Sequence, residues 1–325
     1  MATMSSAETT TPRQAAPPPN VHGASVLTVD VGGTDLKSAL SDAAGALADV
    51  RRVGTPRSVD HPGDAVVERT VELLNEYRLA WPDRPIGAIG MIAPGLVDEV
   101  RGVGVFSANL GWRDYPFAER VNAITGLPVT FGHDVGAAGE AEVRLGAAQG
   151  LSDVVVMIIG TGIAAAVFCG GQRVQGGGFA GEVGHAQVPG GERCACGAMG
   201  CLETVGSAGA IARRYSQRSG VAVDGAREVL KLAQLGDRHA ADVVDDAVAA
   251  LAFSVGQLAA TLGTEAVVIG GGLAQAGEQL FDPLRRAVDN ALSFHRRPRL
   301  LAARMGQDAG LIGAALRARG LLETP

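Results

Sequence analysis

Three cysteines crowd one short stretch of the second half, as Cys194-Ala-Cys196 and Cys201, and His185 precedes the first by nine positions. Three thiolates and one imidazole nitrogen are the tetrahedral set zinc takes in structural sites. Gly197 and Gly200 would let the chain wrap an ion. Buried free thiols are the alternative, and Cys169, among apolar neighbours, is read that way. Carboxylates gather at the same place. Glu182 lies three residues before His185, and Glu203 two after Cys201. Together they could accept hydrogen bonds from a polyhydroxyl ligand; singly, each reads as a solvated surface charge.

A second chemistry is suggested by glycine. Asp30-Val31-Gly32-Gly33-Thr34-Asp35-Leu36-Lys37 follows a short apolar run. Glycines at a strand end let backbone N–H groups approach a phosphate, with the Thr34 hydroxyl as a further donor. Asp30 could hold Mg²⁺ through water. Leu36 stands where a P-loop needs its second glycine, so that motif is excluded; a plain tight hairpin is the other reading. The unit recurs 127 residues later as Gly160-Thr161-Gly162. There, Gly160 to Ala165 fits the dinucleotide pattern GxGxx(G/A), with Glu182 20 residues beyond Gly162. That pattern needs a helix at the loop, whereas the apolar run on to Gly170-Gly171 predicts a returning strand. Gly270-Gly271-Gly272 is either a close approach to a nucleotide or strand-to-helix punctuation. At His133-Asp134 the carboxylate could cap the next helix or act as a general base.

Period-2 and period-3.6 patterns predict the elements that carry these residues. Strands are expected over 26–31, 36–40, 86–92, 129–131, 154–159, 163–169 and 267–269. Helices are expected over 64–80, around 117–124, and over 136–148, 206–218, 226–235, 238–262 and 275–292. Alternation of the two predicts an α/β fold. The chain has 325 residues with few aromatics, and Gly accounts for 46 of them. That is about twice the usual share, and it lacks a G-x-y period, so collagen is excluded. A net charge of −6 argues against a broad nucleic-acid surface, and no apolar run is read as membrane-spanning. Residues 1–23 lack a secretory signal and read as a disordered tail. Residues 24–135 are expected to form a smaller α/β domain, with 308–325 a candidate to complete it; 136–307 form a larger one with the cysteine loop. Few, clustered cysteines point to a reducing compartment.

Taken in order, these pieces resemble the ROK family of sugar kinases and sugar-responsive repressors, within the actin-like ATPase superfamily. The resemblance runs from about Val26 to Ala315. It rests on Asp30-Val-Gly-Gly-Thr34, Ala93-Pro-Gly95, Asn109-Leu-Gly-Trp112, Asp134, Gly160-Thr-Gly162, Gly181-Glu-Val-Gly-His185, Cys194-Ala-Cys-Gly-Ala-Met-Gly-Cys-Leu-Glu203 and Gly270-Gly-Gly-Leu273. It implies a two-domain, ribonuclease H-like fold and ATP-dependent phosphorylation of a hexose or hexose derivative in the cytoplasm, by a homodimer as is common in the family. Asp134 would be the general base. Gly95, Asn109, His133, Glu182, His185 and Glu203 would form the sugar site. Asp30, Gly32, Gly33, Thr34, Lys37, Gly160, Thr161, Gly162, Gly271 and Gly272 would serve the nucleotide and its magnesium. His185, Cys194, Cys196 and Cys201 would hold structural zinc. His133 replaces the family's usual Asn before the base, and Ala164-Ala165-Ala166 replace glycines, so their methyl groups are expected to narrow the phosphate channel. A non-catalytic sugar sensor is the alternative; residues before Val26 are too short and too Pro-rich for the repressors' helix-turn-helix. A dehydrogenase would follow only from the GxGxx(A) match.

Overall fold

The computed structural model describes residues 23–323; the tail expected over 1–22 lies outside them. The first half runs β1 (Ser25–Val31), β2 (Asp35–Ser41), β3 (Leu47–Gly54), α1 (Pro62–Ala80), β4 (Ile86–Ala93), β5 (Leu96–Asp98), β6 (Val103–Phe106), β7 (Arg113–Tyr115), α2 (Phe117–Thr125), β8 (Val129–His133) and α3 (Asp134–Arg144). The second runs β9 (Val154–Ile159), β10 (Ile163–Cys169), β11 (Gln172–Arg173), α4 (Glu203–Gly206), α5 (Ala208–Ser219), α6 (Ala226–Gln234), α7 (Arg238–Leu262), β12 (Ala266–Gly270), α8 (Glu278–Ala291), β13 (Arg299–Ala302) and α9 (Ala309–Glu323).

Two five-stranded sheets share one topology, β3-β2-β1-β4-β8 and β11-β10-β9-β12-β13. In each, the first three strands form an antiparallel meander, and the last two run parallel to the first. The two Gly-Thr turns therefore occupy equivalent positions, at the β1–β2 and β9–β10 hairpins. No helix starts at Gly162: Ile163 opens β10, which returns antiparallel to β9. That removes the dinucleotide reading. A three-stranded sheet, β5-β6-β7, was not foreseen from sequence.

Each sheet has its own core. The first gathers the aromatics, with Phe117 and Phe131 stacked at 4.5 Å and Trp112 edge-on to Phe117 at 4.7 Å. The second is built from Val, Leu, Ile and Ala of β9, β10, β12 and the helices α5 to α8. Contrary to the sequence reading, α7 is long and apolar enough by length and composition to cross a membrane. Half of its most apolar stretch is buried, and Val243, Ala247, Leu251 and Val255 lie in the second core. Core packing accounts for its apolar face.

Helices α3 and α9 tie the halves together. The last helix of the chain returns to the first sheet, packing on β1 and β4 and against α3. Gly313 makes this possible, because a Cβ there would overlap the Ala137 carbonyl of α3. Glu142 of α3 is 1% exposed, and its carboxylate accepts from the amides of Ala147, Arg304 and Met305 at 2.7–2.8 Å. A buried carboxylate must be satisfied in this way, and here it fastens α3 to the chain leading into α9.

Candidate functional site

The chemistry-bearing residues gather where parallel strands end. The carboxyl ends of β1, β4 and β8 carry Gly32, Gly95 and His133-Asp134; those of β9 and β12 carry Gly160 and Gly270-Gly271. In open α/β sheets this edge is where ligands bind, because backbone donors and side chains there are not consumed by the ladder.

The first hairpin is braced. Gly32 N–H donates to the Asp35 carbonyl at 3.0 Å, and the Thr55 hydroxyl donates to the Gly32 carbonyl at 2.7 Å. Thr34 and Thr161 are exposed at the tips of their hairpins. Asp30 lies just behind, and its carboxyl is pushed up to about 6, first by burial and then by the charge of Asp134. Two carboxylates thus lie close enough to repel, with Lys37 and Arg52 only partly offsetting them. The Lys37 ammonium donates to the Gln307 carbonyl at 3.2 Å.

At the end of β8 the structure separates two roles. His133, not Asp134, is the N-cap of α3, its Nδ1 accepting from Gly136 N–H at 3.3 Å. Asp134 is the first helical residue, with Oδ1 3.3 Å from His133 Nδ1. The N-cap itself is thus His133, while Asp134 Oδ1 accepts from Val135 N–H at 2.6 Å at the start of the helix. Asn109 sits on an exposed turn held by buried Trp112. It lines a cavity of about 280 Å³ with Arg57, apart from the cavity of about 50 Å³ that His133 and Glu182 line. Gly95, in the β4–β5 turn, has φ +108°, which by itself calls for glycine.

Glu182 and His185 are presented by a segment laid on β10. Ala165 N–H donates to the Gly181 carbonyl at 2.8 Å, and a Cβ at Gly181 or Gly184 would overlap the carbonyl of Ala165 or Ile163. With the glycines pressed flat, Glu182 and His185 stay exposed. Glu203, the first residue of α4, accepts from Ile163 N–H at 3.0 Å, so its carboxylate is anchored to the second hairpin.

Behind them lies the cysteine loop. One ligand atom each from His185, Cys194, Cys196 and Cys201 falls within 4.8 Å of every other. Cys194 Sγ is 3.7 Å from His185 Nδ1, and Cys196 Sγ is 3.6 Å from Cys201 Sγ. Burial, then the adjacent Cys196 and Cys194, push the Cys201 thiol up to about 12, whereas the Ala198 amide leads the lowering of Cys196. Thiols packed this closely are poor neighbours as separate groups; a shared divalent ion would hold all three as thiolates. The donor set is compatible with structural zinc. With Nδ1 on this side, His185 keeps Nε2 toward Glu182, 4.0 Å from Oε2.

On the other side of the second hairpin, Gly272 borders a cavity of about 440 Å³ with Ala208, Ala226, Arg227, Leu230 and Gln275. Its size and mixed lining suit a small organic ligand. A 3₁₀ turn, Leu273–Ala276, separates Gly272 from α8. The helix expected from 275 therefore begins only at Glu278, and its N-terminus does not open on the glycine loop.

The family model described as the ROK family matches residues 26–320. The chain belongs to the ROK family. It is similar to a glucokinase of Halalkalibacterium halodurans, 33% identical over 88% of this chain and 92% of that protein. Its fold is that of ROK sugar kinases: it matches the Thermus thermophilus ROK hexokinase with a TM-score of 0.80 at 33% identity, covering 92% and 99% of the two chains. It also matches a ROK family glucokinase from Streptomyces griseus, solved in complex with glucose and AMPPNP, with a TM-score of 0.75 at 30% identity and coverage of 91% and 99%.

Two features depart from what the sequence of this ROK protein suggested. The methyl groups of 164–166 do not all face the cleft. Ala166 is buried against Gly139 of α3, while Ala164 and Ala165 line the cavity that His133 and Glu182 share. Sequence reading also missed Glu99, whose Oε1 accepts from His133 N–H at 2.9 Å. No local motif marks it; its partners come from distant parts of the chain.

Proposed function

We propose that this ROK protein transfers the γ-phosphoryl group of ATP to a hydroxyl of a hexose or hexose derivative. The observation that carries the reading is the convergence on one edge of two Gly-Thr hairpins, the Asp134 carboxylate at the end of β8, and the Glu182–His185–Glu203 group. The similarity to proteins named as a glucokinase and a hexokinase supports it. Asp134 is the general base: it accepts the proton of the attacking hydroxyl. Asn109, His133, Glu182, His185, Glu203 and the Gly95 turn orient the remaining hydroxyls. Polar partners in a ring suffice here, since phosphoryl transfer is mostly positioning and charge stabilisation.

The backbones of Gly32-Gly33-Thr34 and Gly160-Thr161-Gly162 receive the phosphates from two sides, and the cavity beside Gly271-Gly272 takes the nucleoside. The Asp30–Asp134 pair is short of positive charge, which fits a divalent ion nearby. Magnesium bound with the nucleotide would neutralise phosphate charge there, and Asp30 is the residue that would help hold it. Cys194, Cys196, Cys201 and His185 Nδ1 would hold structural zinc, which would fix the His185 ring and leave its other nitrogen for sugar. The test is Asp134→Asn assayed with ATP over a panel of hexoses and N-acylated hexosamines. Wild-type protein phosphorylates at least one sugar, and the variant loses at least about 10²-fold in kcat. A zinc-replete wild-type protein that phosphorylates nothing in the panel overturns the reading.

A further inference from the structure

We propose that Glu99, Glu140, Arg173 and Arg317 form a clamp that positions the turn carrying Asp134. The four side chains are 11–16% exposed and come from the loop after β5, from α3, β11 and α9. Arg317 Nη1 donates to Glu99 Oε1 at 3.1 Å, and its Nε donates to Glu140 Oε2 at 2.8 Å. Arg173 Nε donates to Glu140 Oε1 at 3.0 Å, and its Nη2 is paired with Glu99 Oε2. Gln175 adds a contact to Glu99 at 3.4 Å.

Two observations aim this cluster at the base. Glu99 Oε1 takes the His133 amide, the peptide immediately before Asp134. The two guanidinium groups also lie flat on the backbone flanking it. A Cβ at Gly132 would overlap Arg317 Nη1, and one at Gly136 would come within 2.8 Å of Arg173 Nη1 and 3.2 Å of Arg317 Nη2. Residues 132–136 are therefore gripped on both sides of Asp134, and glycine at either end is what admits the grip. Glu99 follows β5, Arg317 lies on α9 against the first sheet, Glu140 on α3 between the two sheets, and Arg173 on the edge of the second sheet. Its planar fork bridges both carboxylates at once, which Lys could not do. Glu99, Arg173 and Arg317 are positioning residues: they act on Asp134 through the backbone that carries it. Misplacing a reacting group by about 1 Å costs roughly 10²-fold in rate.

The inference rests on Asp134 as base, so the test has one readout that depends on that reading and one that does not. In Glu99→Ala, kcat falls about 10- to 100-fold while KM for ATP stays within about twofold, because the nucleoside cavity lies beyond the second hairpin. Glu99→Gln keeps an acceptor for His133 and recovers most of the loss. By hydrogen–deuterium exchange, the amides of 132–136 open about tenfold faster in Glu99→Ala, while those of 154–169 do not change. If Glu99→Ala does not fold, Arg173→Met, which leaves the His133 acceptor and Arg317 in place, is read the same way with about a tenfold fall in kcat. A kcat within twofold of wild type, a parallel rise in KM for ATP, or unchanged exchange at 132–136 overturns the clamp. If the wild type phosphorylates no sugar, the kinase reading fails on its own, and exchange alone decides the clamp.

Discussion

Replacing Asp30 by Asn removes a carboxyl that the fold holds at about 6 instead of 3.8, by burial first and by repulsion from Asp134 second. A group whose folded pKa is raised binds its proton more tightly in the native state, so its contribution is favourable at low pH and is lost as pH rises from about 4 through about 6. The full shift corresponds to about 3 kcal/mol. Asp30 keeps some exposed area, so we expect about 1–3 kcal/mol. The assay is urea unfolding of wild type and Asp30→Asn without nucleotide or magnesium, at steps between pH 4 and pH 8. The two proteins should be nearly equal at pH 4, and the variant should be the more stable by about 1–3 kcal/mol at pH 8. Comparing the pair cancels titration of the cysteine loop. Since Asp134 is the second cause, Asp134→Asn should narrow the gap. The same Asp30→Asn protein should phosphorylate sugar poorly, so stability and activity move in opposite directions. A gap that is constant with pH, or that widens as pH falls, refutes the placement of Asp30 beside Asp134 in a shielded position.

Freshly purified protein should carry about one zinc per chain by elemental analysis, and Cys196→Ser should lose it together with sugar phosphorylation; a metal-free wild type would remove the site. Gly162→Ala would drive a methyl group into the Glu203 carboxylate and break its bond from Ile163 N–H. A charge-assisted hydrogen bond of this kind is worth about 1.5–3 kcal/mol, so KM for sugar should rise about ten- to hundredfold. Equal effects on the KM for ATP would show that the hairpin, and not Glu203, had been damaged.

The chemistry written in short spacings was legible from sequence. Cys194, Cys196 and Cys201 are close along the chain, so any fold brings them together, and His185 is near enough to join. The paired Gly-Thr hairpins were readable because a strand, a tight turn and a returning strand are local structures. The 3–4 spacing of apolar residues likewise placed most helices within a few residues. What the sequence left open was settled by contacts across long separations. Ala166 is kept out of the cleft because α3 covers it. The return of α9 to the first sheet joins Gly313 to Ala137 and Arg317 to Glu99, 218 positions away. Side-chain type along the chain records which groups are available. Which buried carboxylate meets which guanidinium is fixed only when desolvation forces every charge in the interface to find a partner, and that depends on the closed tertiary structure.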